Sequence, residues 1–210
     1  MNFTRFYLSK ISSFLESSPA LIFYGPRQVG KTTLIRNFLS SFRGKYFFGT
    51  GDDSSLRGIL ESQSLAQIKS FFSGYDLVVI DEAQRVREVG FALKLLVDNV
   101  ENIKIIATGS SSFELSQQIG EPLTGRKRTF LLFPISCLEL KNQFGAMYIN
   151  QALEELLIFG SYPKCLTLTN LELKKEYLWE LKDSYLLKDI FELEGIRASY
   201  KILDLLTLLA

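Results

Sequence analysis

Ala20-Leu21-Ile22-Phe23-Tyr24-Gly25-Pro26-Arg27-Gln28-Val29-Gly30-Lys31-Thr32-Thr33 is an apolar run that stops at a glycine and leads into Gly-Lys-Thr. The apolar part predicts a short, buried parallel strand, and a helix is predicted from Lys31 to about Ser40. Gly25, Gly30, Lys31 and Thr32 match Gly-x4-Gly-Lys-[Ser/Thr] in the strand-then-helix context that gives this pattern meaning. Glycines let the backbone curl so that several N–H groups face inward, where they bind phosphate oxygens. The helix beginning at Lys31 adds the positive end of its dipole. Lys31 is read as the cation for the β and γ phosphates, and the Thr32 hydroxyl as a Mg²⁺ ligand.

The rest of the chain supplies the frame that such a loop needs. Strands are predicted at 45–48, 76–80, 103–107 and 129–133. An amphipathic helix is predicted at 3–17, and further helices at 55–61, 64–72 and 85–99. Strands alternating with helices imply an α/β class with a parallel sheet covered on both faces. After Pro134 only helices are predicted, at about 135–143, 151–159, 170–193 and 198–210. This divides the chain into an α/β core (1–134), a helical lid (135–186) and the start of a further helical domain (187–210). The apolar run Ile202, Leu203, Leu205, Leu206, Leu208 and Leu209 stops at Ala210 without a polar tail, so the chain is read as a fragment of a longer protein.

Asp81-Glu82 closes the apolar run 76–80, which is the Walker B position. Asp81 is assigned to Mg²⁺ and Glu82 to the general base that polarises the attacking water. After the next strand comes Thr108-Gly109-Ser110-Ser111-Ser112. Thr108 or Ser110 can orient that water there, or the serines can cap a helix at 112–118. Arg126-Lys127-Arg128 has three readings: a finger toward a neighbouring subunit's γ-phosphate, a contact for nucleic-acid phosphates, or a solvated charge run. Asp52-Asp53 suits a metal or a turn with a helix cap. Gly160-Ser161-Tyr162-Pro163 suits an adenine contact or a helix–helix turn. Tyr177, Trp179 and Tyr185 are read as packing residues.

Composition narrows the chemistry. Histidine is absent from all 210 residues, which removes Ser-His-Asp and Cys-His catalysis and imidazole zinc sites. Cys137 and Cys165 form no Cys-x-x-Cys pair and read as reduced thiols. The net charge of +1 neither excludes nor suggests nucleic acid, because a strong binder usually carries a concentrated basic excess. No apolar run approaches the ~20 residues of a membrane span. Arg5, Lys10 and Glu16 interrupt any leader-like stretch, so the protein is read as soluble and cytoplasmic. No Asn-Lys-x-Asp motif is present, which favours ATP over GTP.

Taken with Leu123-Thr124-Gly125-Arg126, the stretches 25–33, 81–86 and 108–112 resemble the prokaryotic AAA-type ATPases in which a phosphate-loop domain precedes a C-terminal domain of unknown function. The resemblance covers essentially the whole chain. It implies the AAA+ fold: a five-stranded parallel sheet of order 5-1-4-3-2 with a helical lid. It implies that Thr108 or Ser110 is the first sensor and that Arg126 is the preferred finger; acting in trans, Arg126 would require a head-to-tail homo-oligomer. In related signal-transduction ATPases a Gly-x-Pro element of the lid touches the nucleotide, and Pro163 resembles that proline at a different spacing. No clear second-sensor arginine is present; Arg197 and Lys164 are weak matches. The C-terminal domain would begin near Leu187-Lys188-Asp189-Ile190. The resulting expectation is an ATP-dependent switch or slow Mg-dependent ATPase with an unknown protein partner. An ATP-regulated nucleic-acid module and a small-molecule phosphotransferase are the alternatives.

Overall fold

The computed structural model describes residues 2–110, 122–183 and 208. They fall into two compact units, 1–151 and 152–210. The division by contacts therefore lies later in the chain than the change of composition at Pro134.

Among the described residues, the first unit holds a single parallel sheet. Its strands are β1 (Ala20–Tyr24), β2 (Tyr46–Thr50), β3 (Leu77–Asp81), β4 (Lys104–Gly109) and β5 (Lys127–Leu131). The order across the sheet is β2-β3-β4-β1-β5, all neighbours parallel, which is the implied 5-1-4-3-2 arrangement. The pattern of burial follows from this order. The three inner strands are buried almost throughout, and β2 and β5, each with one open edge, are not. Five helices of this unit are α1 (Ile11–Ser17), α2 (Lys31–Leu39), α3 (Ser54–Glu61), α4 (Leu65–Phe72) and α5 (Val89–Asn99). Leu60, Ile68, Phe72, Leu93 and Leu96 pack with Val78, Ile80 and Ile105 into one core. α6 (Cys137–Phe144) follows β5 and opens with a reciprocal Ser136/Glu139 capping box.

Several boundaries differ from the sequence reading. The helix predicted at 3–17 is only a 3-10 turn at Leu8–Lys10 followed by α1. Residues 2–5 are not helical, and two amides at this end are taken by distant side chains: Thr4 N–H donates to Gln143 Oε1 (2.9 Å) and Phe6 N–H to Glu139 Oε1 (2.7 Å). The helix predicted at 85–99 begins at Val89, after a 3-10 turn at Ala83–Arg85 and left-handed Glu82 and Glu88. The fifth strand starts at Lys127, two residues before the predicted 129, because Lys127 is already paired with Ala20. The segments predicted as helix at 112–118 and 198–210, apart from 208, lie outside the described residues.

α7 (Ala146–Phe159) begins five residues before the predicted 151. It stops at Gly160, whose φ of +70° is the left-handed conformation a helix terminator needs. α8 (Pro163–Thr167), absent from the sequence reading, has Pro163 in its first turn, and α9 (Leu171–Leu181) is capped by Asn170. Gly160-Ser161-Tyr162-Pro163 is thus a helix–helix turn, with Tyr162 edge-on to Tyr177. Lys174 is buried, pairs with Glu155 and lies over the Phe159 ring. Of the presumed packing aromatics, Tyr177 is buried. Trp179 corrects that reading: it is 61% exposed, with Lys182 over its ring. Tyr185 lies outside the described residues.

A Cβ at Gly25 would lie 2.1 Å from the Leu132 carbonyl oxygen, and the residue has a φ of +149°. Gly25→Ala is therefore expected to destabilise the chain by about 1–3 kcal/mol or more, read from urea unfolding with an unchanged m-value.

Candidate functional site

Parallel pairing brings the ends of four strands to one edge. Tyr24 is level with Gly109 and Leu131, and Ile80 with Ala107. Ligands of open α/β sheets bind at this carboxyl edge, where the chain reverses its direction of travel across the sheet. Here that point is β1, which has β4 on one side and β5 on the other.

The loop after β1 has left-handed residues at Gln28 (φ +64°) and Gly30 (φ +96°). A Cβ on Gly30 would meet nothing within 4 Å, so its backbone conformation, and not crowding, requires glycine there. Val29 is buried, Arg27 is half-buried, and Pro26, Gln28 and Thr33 are exposed. The Lys31 side chain is buried, and Nζ donates to the carbonyls of Gly25 and Pro26, both at 2.9 Å. A buried ammonium needs such acceptors. They hold it against the loop that the sequence assigns to phosphate.

One step past the Ile80–Ala107 pair, the Asp81 carboxylate is shared between two threonines. Thr32 Oγ1 donates to Asp81 Oδ2 at 2.8 Å, and Thr108 Oγ1 donates to Asp81 Oδ1. Thr108 also accepts the Glu82 backbone N–H (3.3 Å). Glu82 is left-handed (φ +49°), so its side chain departs from the line of the strand. Its carboxylate accepts a hydrogen bond from Gln84 Nε2 at 2.5 Å, and the same amide donates to Ser110 Oγ at 2.9 Å. A carboxylate can only accept, which fixes the amide orientation of Gln84. Gln84 Oε1 is left buried with no partner among the described residues.

The structure thus brings together 25–32, Asp81, Glu82, Thr108 and Ser110. It separates the two sensor candidates: Thr108 holds Asp81 and the Glu82 backbone, whereas Ser110 joins Glu82 through Gln84. Gln84 was missed in the sequence because its only signal was its place two residues after Glu82. Arg126 is elsewhere. Lys127, the first residue of β5, is level with Ala20, the first of β1. Arg126 therefore lies at the opposite sheet edge, about 16 Å away for five residues of strand, and pairs with Asp98 of α5. Arg128 donates to Ser17 Oγ (3.2 Å) and covers the Phe14 ring. Asp53 caps α3, and Asp52 faces Arg85 at 3.7 Å. Pro163 belongs to the second unit.

The residues fit Mg²⁺. Thr32 Oγ1 and Asp81 Oδ2 are adjacent hard oxygens, and Mg²⁺ is usually held by one or two such groups together with phosphates and water. No cluster of three or more His, Cys, Asp or Glu side chains suited to a metal occurs among the described residues, so an all-protein metal cage is not what they provide. Among the same residues no helix is long and apolar enough to cross a membrane.

A family model described as an AAA domain matches residues 17–141, from the end of α1 through most of α6. This chain belongs to the AAA domain family. Its curated relatives are named as uncharacterized proteins. MJ1544 of Methanocaldococcus jannaschii is 27% identical over 84% of this chain and 43% of its own length. Rv2008c of Mycobacterium tuberculosis is 32% identical over 56% of this chain and 26% of its own. The chain thus spans less than half the length of either. Among solved structures, the Walker-type ATPase PABY2304 of Pyrococcus abyssi shares the fold, with a TM-score of 0.60 at 20% identity over 91% of this chain and 75% of that one.

Thr108 is 1% exposed and donates to a buried carboxylate. Thr108→Val keeps its shape and removes that donor, so a loss of about 1–3 kcal/mol is expected, measured by chemical denaturation.

Proposed function

We propose that this AAA domain binds ATP with Mg²⁺ and hydrolyses it slowly, as the nucleotide-driven switch of a longer cytoplasmic protein. The observation that carries the reading is the Asp81 carboxylate, which lies between the hydroxyl of the loop threonine and that of Thr108, with Glu82 next in the chain. The loop N–H groups and Lys31 would bind the phosphates. Thr32 and Asp81 would hold Mg²⁺, which when bound neutralises charge on the phosphate oxygens. Glu82 would accept the proton of the attacking water, positioned by Gln84 and Ser110. Arg126 would act only on a neighbouring copy, since within its own chain it is at the far edge of the sheet. A nucleotide contact by Pro163 completes the proposal and rests on the family resemblance.

Lys31→Ala is expected to weaken ATP binding at least tenfold by titration calorimetry, consistent with losing a charged contact of about 1.5–3 kcal/mol. Unchanged affinity would remove the loop assignment. Glu82→Gln is expected to bind ATP normally and to release phosphate about 100-fold or more slowly; surviving turnover would remove Glu82 as the base. Arg126→Ala is expected to lower turnover only under conditions where the chain oligomerises, as followed by light scattering. Phosphate release that rises strongly on adding DNA would instead favour a nucleic-acid module.

A further inference from the structure

Arg5 lies upstream of residues 17–141, yet its side chain is one of the few buried charges of the first unit. Its guanidinium reaches three partners on three segments. Nη1 donates to the Val29 carbonyl of the phosphate loop (2.8 Å), Nη2 to the Phe133 carbonyl after β5 (2.6 Å), and Nε to Glu139 Oε1 of α6 (3.1 Å). The Glu139 side chain is in turn fully engaged. Oε1 also takes the Phe6 N–H, and Oε2 takes both the backbone N–H and the hydroxyl of Ser136. Burial lowers the Arg5 pKa, and Glu139 opposes that shift.

The contact to Val29 has a directional consequence. The peptide unit joining Val29 to Gly30 is planar and trans, so its C=O and N–H point opposite ways. Holding the Val29 carbonyl on Arg5 aims the Gly30 N–H away from Arg5. Gln28 before this unit and Gly30 within it are both left-handed, a conformation uncommon for a residue such as Gln28. A lysine has no planar fork and cannot serve three acceptors in one plane.

We propose that Arg5 is a positioning residue of the nucleotide site: it sets the orientation of the Val29–Gly30 peptide, so that the segment before β1 is part of the ATP-binding machinery. The proposal rests on the reading of 25–32 as the ATP loop.

The test uses the full 210-residue chain and a fluorescent ATP analogue. Two variants are compared with the unmodified protein: Arg5→Lys, and the doubly neutral Arg5→Met/Glu139→Gln, which leaves no unpaired buried charge. An Ile68 variant (Val or Ala), in the core face of α4, supplies a matched loss in Tm without touching the loop. Both Arg5 variants are expected to weaken binding about tenfold or more, as loss of a charge-assisted contact does, while the Ile68 control binds normally. Equal affinities throughout, or an Ile68 control that weakens as much, would overturn the inference and leave the ATP reading intact. Failure of both Arg5 variants to fold would overturn it in favour of a purely structural ion pair. An unmodified protein that fails to bind the analogue would overturn both readings.

Discussion

A carboxylate at the end of a fully buried strand has to be satisfied locally. β3 is buried from Leu77 to Asp81, so Asp81 emerges from the core with little water around it. The hydroxyls of Thr32 and Thr108 supply the missing donors, one from the first turn of α2 and one from the end of β4. Each bond requires its own piece of the fold. Thr32 is in reach only because β1 delivers the loop next to β4, and Thr108 only because β4 lies between β3 and β1. The strand order and the site are therefore a single constraint: another order would leave a buried charge without donors, which costs several kcal/mol.

The sheet itself was legible in the sequence. The apolar runs before Gly25, Asp81 and Thr108 are short, which is how doubly covered parallel strands read. The order of the strands came from the resemblance, since alternation of strand and helix does not determine it. Residues 25–32, 81 and 82 were legible because each motif follows such a run directly.

What was not legible depended on contacts distant in the chain. The periodicity of Phe3, Phe6 and Tyr7 suits a helix, but the amides of Thr4 and Phe6 are taken by side chains more than 130 residues later. No local pattern records that. Gln84 is similar: its contact is with Ser110, the residue just after β4 and 26 positions along the chain. The turn Gly160–Pro163 gave two readings because proline suits the first turn of a helix and an aromatic neighbour suits either a ring or a core.

Gly25 makes the outermost strand part of the site. The Leu132 carbonyl lies where a Gly25 side chain would be, and Leu132 N–H donates to Tyr24 O (2.7 Å). Edge strands open at lower free energy than the core they flank. Loosening of β5 would withdraw the wall behind the loop while β3 and β4 remained intact. The site would then be lost through partial opening at one margin of the sheet, at a lower free energy than unfolding of the whole unit.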